Sequence, residues 1–120
     1  LNQMDIAELV SAAIGLKITP EELLMIGERI HNLERVFNII HAKFTREDDY
    51  PPERFFKEPI KSGPYKGEKL DKERFDEMLD ENYQLHGWDK RGIPKKSTLK
   101  YLGLEYLIKD LENAGISCEE

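Results

Sequence analysis

The chain has 120 residues and a formal net charge of -6, with 35% charged and 39% hydrophobic side chains. That length supports one core and not two, and the acidic balance excludes nonspecific nucleic-acid binding, which needs a clustered basic surface to neutralise phosphates. No apolar run approaches the roughly 20 residues of a membrane helix, and the single cysteine, Cys118, closes no internal disulfide, so a cytoplasmic, reducing setting is expected, with no membrane partner.

The first helix is predicted over residues 5–13, where Ile6, Leu9, Val10 and Ala13 share one side and Gly15 provides the stop. Thr19-Pro20-Glu21-Glu22 then restarts the pattern: threonine is an N-cap, proline suits the first helical position, and glutamate occupies the capping-box position. The second helix runs from there to about Ala42, so the two form a helical hairpin with a short connection. Along it Leu23, Ile26, Ile30, Leu33, Phe37 and Ile40 step by three and four, which makes an apolar face wide enough to be covered by another element.

Between Thr45 and Leu70 the period disappears. Pro51 and Pro52 lack amide donors and restrict the residues before them, while Pro59, Gly63, Pro64 and Gly67 punctuate an extended surface segment. One helical turn is expected at Glu53-Arg54-Phe55-Phe56, with Phe55, Phe56 and Tyr65 as anchors. A loop this long in a compact domain is usually functional or draped over another part of the protein. Order returns with Asp71 as N-cap of a third helix carrying Phe75, Met78, Leu79 and Tyr83 and ending at Gly87. Ser97 or Thr98 is expected to cap a short helix through Tyr101 that Gly103 ends, and Leu104, Leu107, Ile108 and Leu111 make a last amphipathic stretch. No strand pattern of convincing length occurs, so the fold class is all-α: an irregular helical domain over residues 1–120 with a long central helix and a long proline- and glycine-containing loop.

The search for chemistry yields no catalytic, cofactor-binding or metal-binding residue. Glu28 and His31 have the i, i+3 spacing of di-iron bundles, but such a site needs a second copy, and neither His41 nor His86 has a glutamate three positions earlier. A partly buried, hydrogen-bonded histidine is the favoured reading. Cys118 lies in an acidic tail expected to fray, and Ser62 and Ser97 are outside any nucleophile elbow. Arg46-Glu47-Asp48-Asp49 lacks calcium-loop spacing and reads as a solvated turn. Phe75, Tyr83 and Trp88 read as core, and Glu34 and Arg35 as partners of charges on a neighbouring helix.

Several ordered motifs carry a resemblance. Gly27-Glu28-Arg29-Ile30, Asn32-Leu33-Glu34-Arg35 and Phe37-Asn38 are followed by Phe44-Thr45-Arg46-Glu47-Asp48-Asp49 and Pro52-Glu53-Arg54-Phe55. Phe75-Asp76-Glu77-Met78-Leu79-Asp80-Glu81, Gly87-Trp88-Asp89, Gly92-Ile93-Pro94 and residues 99–104 complete the series. In that order they resemble the C-terminal region of the tungsten-containing aldehyde:ferredoxin oxidoreductase family. The resemblance implies a helical domain of a larger enzyme that oxidises aldehydes to carboxylic acids with ferredoxin as acceptor. It implies a tungsten or molybdenum bis-pterin and a [4Fe-4S] cluster in the parent, with their ligands before Leu1 and none in this chain. One departure is Ile39-Ile40-His41-Ala42-Lys43, where relatives carry an arginine and a glycine; loss of the glycine favours a longer helix. The chain, which opens on Leu1, is read as a piece of such an enzyme, structural and inactive alone, whose partners are the remaining domains. The alternative is a free-standing helical interaction module. Phe37, Ile40, Phe55 and Phe56 would form an exposed apolar patch, giving self-association into a homo-oligomer or local disorder over residues 57–69.

Overall fold

The computed structural model describes residues 2–120. Six α-helices follow in order: α1 (Gln3–Ile14), α2 (Pro20–His41), α3 (Arg54–Lys57), α4 (Lys72–Leu85), α5 (Lys96–Tyr101) and α6 (Tyr106–Asn113), with a 3₁₀ turn at Arg46–Asp49. Among the described residues there is no strand, only an isolated bridge between Trp88 and Pro94, so the fold is all-α as expected.

The helix boundaries come from local chemistry. Thr19 accepts a hydrogen bond from the Glu22 amide at 3.1 Å and Pro20 stands at the first turn, as its sequence dictates. α1 begins two residues before its predicted start because Asn2 and Asp5 form a reciprocal capping box. Asp71 caps α4 through the Glu73 amide at 3.0 Å. α5 departs from expectation: Lys95 is its N-cap residue, and Ser97 and Thr98 lie inside the helix. Its orphan amides find backbone partners instead, Lys96 donating to the Glu119 carbonyl at 2.8 Å and Ser97 to that of Glu120 at 3.4 Å. Thr98 Oγ1 then becomes available to donate to the Gly87 carbonyl at 2.7 Å.

α2 ends without a glycine. The Phe44 amide reaches back to the Asn38 carbonyl at 3.1 Å, a closure that requires a left-handed residue, and Lys43 adopts it with φ 56°. Among the described residues Lys43 is the one non-glycine with positive φ.

Within this chain α2 buries its mixed face and leaves most of its apolar stripe open, with Phe37 exposed as expected. Its buried residues are Asn32, Arg35, Val36 and Ile39, whereas Ile26, Ile30, Leu33 and Phe37 of the apolar stripe are exposed, Phe37 at 61%. Val36 and Ile39 join Ile93, Leu99, Leu102, Leu104, Leu107, Leu111 and Cys118 in the main core. Cys118 is therefore a core residue, not part of a frayed tail: an apolar thiol fills a gap beside α6, and burial pushes its pKa up. A smaller cluster joins Leu79, Tyr83 and Trp88, with Tyr50 and Phe75 packed against it, as the aromatic spacing predicts. Phe56 reaches this cluster edge-on to Phe75, whereas Tyr65 is 64% exposed and anchors nothing.

The shape is extended. The radius of gyration is 18.2 Å, against about 14 Å for a compact domain of this length. Accessible surface is 8815 Å², against about 6,700 Å² for a compact monomer of this mass. Large apolar side chains are exposed along α1, its connection to α2 and the first half of α2, among them Met4, Leu9, Ile14, Leu16, Leu24 and Ile30.

Candidate functional site

The polar face of α2 builds the one dense constellation of hydrogen-bonded side chains. Asn32 and Arg35 are separated by three positions, so both turn toward the short segment that follows α4. That segment reverses direction at Gly87 and Gly92, and Trp88, Asp89, Ile93 and Pro94 between and beyond them are buried.

Arg35 is the hub. Its Nε donates to the Gly92 carbonyl at 2.8 Å, and Nη1 and Nη2 donate to the two oxygens of Asp49 at 2.9 and 2.7 Å. Its guanidinium lies over the Trp88 ring, 4.9 Å from the centroid, and 5.6 Å from that of Tyr83. Asp49 is supplied by the 3₁₀ turn that Thr45 caps, and the Tyr83 hydroxyl donates to it as well. Trp88 Nε1 donates to Asn32 Oδ1 at 2.9 Å, and Asn32 Nδ2 donates to the Glu28 carbonyl at 2.8 Å. Gly92 fits because it has no Cβ: one would stand 2.2 Å from Arg35 Nη2 in a backbone already at φ 78°.

Each ionisable group is tuned to hold this arrangement. Burial alone pushes the Asp49 carboxyl up, but hydrogen bonds from Arg35 and Tyr83 outweigh it and leave the carboxyl below its ordinary value. Burial and the Asp49 carboxylate raise the Tyr83 phenol, which stays a proton donor. Burial opposes the Arg35 charge, and Asp49 more than restores it. Beside it Arg46 donates to Asp80 at 2.6 Å and to the Lys90 carbonyl at 2.6 Å, tying the turn to α4. Asp89, also buried, is held ionised despite that burial by the Arg91 side chain and amide and by the Ile93 amide.

This corrects two readings. Arg46-Glu47-Asp48-Asp49 is solvated only in its middle, at Glu47 and Asp48, while its first and last residues lock α2 to α4. Arg35 does form an ion pair, but with that turn rather than with a neighbouring helix. Glu28 and His31 both stand against His86, Glu28 3.5 Å from its Nδ1 and the His31 ring 4.7 Å from its ring, with His31 also stacked on Trp88 at 5.1 Å. Among the described residues no group of three or more His, Cys, Asp or Glu is arranged to hold a metal ion. His31, Glu34, Asn38 and His86 border a cleft of about 290 Å³ over Arg35 and Trp88.

The network is saturated. No buried side-chain nitrogen or oxygen among the described residues lacks a partner. The residues also do not fit an iron–sulfur cluster, which takes several thiolates: the one cysteine is buried in the core with its thiol pKa raised. The arrangement is a structural lock that sets how α2, the 3₁₀ turn, α4 and the 86–95 segment meet.

Comparison with known proteins agrees with the motif series. The family model for domains 2 and 3 of aldehyde ferredoxin oxidoreductase matches residues 1–104. The tungsten-containing aldehyde ferredoxin oxidoreductase of Pyrococcus furiosus is 42% identical over 100 residues, covering 83% of this chain and 16% of the relative. The aliphatic sulfonate oxidoreductase, WOR-like subunit, of the same organism is 38% identical over 104 residues, covering 82% of this chain and 16% of the relative. Among solved structures, the active-site complex BamBC of benzoyl coenzyme A reductase with 1,5-dienoyl-CoA superposes with a TM-score of 0.75 at 29% identity, over 96% of this chain and 16% of that one. This chain thus spans about a sixth of the relatives it matches, and it belongs to the aldehyde ferredoxin oxidoreductase family.

Proposed function

We propose that this chain is the C-terminal helical part of an aldehyde:ferredoxin oxidoreductase-like enzyme, which oxidises aldehydes to carboxylic acids and passes the electrons to ferredoxin in the cytoplasm. Within it these residues act as scaffold and supply no catalytic group and no ligand. The tungsten or molybdenum bis-pterin and the [4Fe-4S] cluster belong to the remaining domains, which are this chain's partners. The observation that carries the reading is the exposed apolar surface of α1 and α2. Accessible area exceeds that of a compact monomer by about 2,000 Å², more than the roughly 800 Å² that one partner contributes to a standard interface, and Ile26, Ile30, Leu33 and Phe37 line it in helical register.

The test joins the chain to the reading frame upstream of Leu1 and measures aldehyde-dependent viologen reduction. Turnover is expected from the joined protein and not from residues 1–120 alone. Ile30→Glu with Phe37→Glu should abolish assembly of the joined protein while leaving the isolated chain folded. Turnover by the isolated chain, or full activity of the joined protein with both glutamates in place, would refute the scaffold role.

A further inference from the structure

A second cleft borders the lock at Arg46 and Ile93. Its floor is apolar, made by Ile39, Phe44, Ile93 and Ile116, and its volume is about 550 Å³, within the range of small-molecule sites. Four cations, Lys43, Arg46, Lys90 and Arg91, stand around it against one carboxylate, Glu47. In a chain of net charge -6 this gathering of positive charge runs against the composition.

The four are not equivalent. Arg46 is committed to Asp80 and Arg91 to Asp89. Among the described residues neither Lys43 nor Lys90 is in an ion pair; Lys43 spends one donor on the Ile40 carbonyl at 3.0 Å. Lys43 also holds the strained left-handed position at the end of α2, where glycine costs nothing. A lysine kept in such a backbone, at the mouth of an apolar cleft, marks a site where side-chain chemistry outweighs local stability.

We propose that this cleft binds an amphipathic monoanion, an apolar chain ending in a carboxylate, with the tail on Ile39, Ile93 and Ile116 and the head group between the Lys43 and Lys90 ammoniums. The proposal is independent of the parent enzyme's activity. Tail burial supplies the affinity and the two ammoniums supply sign selectivity.

The test is a methyl-NMR titration of the chain with decanoate, with butyrate and decyltrimethylammonium as controls. Decanoate should give saturable shifts confined to the isoleucines at 39, 93 and 116. Butyrate should be much weaker for want of tail, and the cation weaker for its sign. Lys43→Gly combined with Lys90→Ser should weaken decanoate about fivefold to tenfold, the effect of removing two exposed charges. Lys43→Gly alone should raise the urea midpoint while weakening binding, which separates loss of ligand from loss of fold. Equal binding of the cation, an unchanged affinity in the double variant, or no saturation below the micelle concentration would overturn the proposal, the last outcome assigning the cleft to a covering protein surface instead.

Discussion

Replacing Arg35 by methionine tests whether the lock holds the domain together. The substitution keeps an unbranched apolar side chain at the position but removes the guanidinium that lies over Trp88, and three donors with it. Breaking a buried ion pair from one side costs about 3–5 kcal/mol, because the abandoned charge stays behind. Asp49 is 22% exposed, however, so water can reach it and the cost falls to the low end of that range. The Gly92 carbonyl, left without its 2.8 Å donor, adds about 1 kcal/mol. A net loss of about 4 kcal/mol is expected, a large share of the 5–15 kcal/mol typical of a domain. It should move the urea midpoint down by about 2–4 M at an m-value of 1–2 kcal/mol/M. The loss should also depend on pH. Asp49 has its pKa depressed in the folded protein, so its contribution is complete above the unfolded value of about 3.9 and is lost as pH falls through the folded value. The gap between wild type and variant should therefore narrow on acidification from pH 5 to pH 3. A loss below 1 kcal/mol, or a gap constant across that range, would refute the assignment of Arg35 as hub.

Gly92→Ala should destabilise by about 2–4 kcal/mol, combining left-handed strain with overpacking against Arg35 and Tyr83, whereas Gly103→Ala, with nothing within 4 Å of its Cβ, should cost only about 1 kcal/mol; equal losses at the two sites would contradict the packing at Gly92. Asn32→Ala strands the buried Trp88 Nε1 donor, so a loss of about 1–3 kcal/mol with a shifted tryptophan emission is expected in equilibrium unfolding. Cys118 should react with a thiol reagent at pH 8 far more slowly in native protein than in denaturant, because burial raises its pKa and shields it; equal rates would place it outside the core.

The sequence announces where helices start and stop far better than which faces meet. Thr19-Pro20, Asp71, Gly15, Gly87 and Gly103 act within one turn of themselves, and each falls at the boundary it predicts. Arg35 and Gly92 are 57 positions apart and Asn32 and Trp88 are 56 apart, so no local pattern joins them. Periodicity finds an apolar stripe on α2 wide enough for another element to cover but does not show which element does; within this chain the mixed face of Asn32, Arg35, Val36 and Ile39 is buried instead. A signal did exist, since those four share the same i, i+3, i+4, i+7 spacing as the stripe and a lone tryptophan follows Gly87. Reading it requires giving an amide and a guanidinium the weight of core residues, which they earn only when aromatic rings and carboxylates meet them.

The closure of residues 117–120 onto the first turn of α5 has a consequence for how the chain reaches its native state during synthesis. Lys96 and Ser97 wait for the Glu119 and Glu120 carbonyls, Arg91 waits for that of Ser117, and the core waits for Cys118. At about 5–20 residues per second on the ribosome, α2 is complete seconds before the residues that fasten its buried face exist. The nascent segment must spend that interval with both faces of α2 open, the stripe and the lock alike. Chaperone engagement is then expected to centre on α2 until the 86–95 segment has emerged and the lock can close, with residues 117–120 completing the core afterwards.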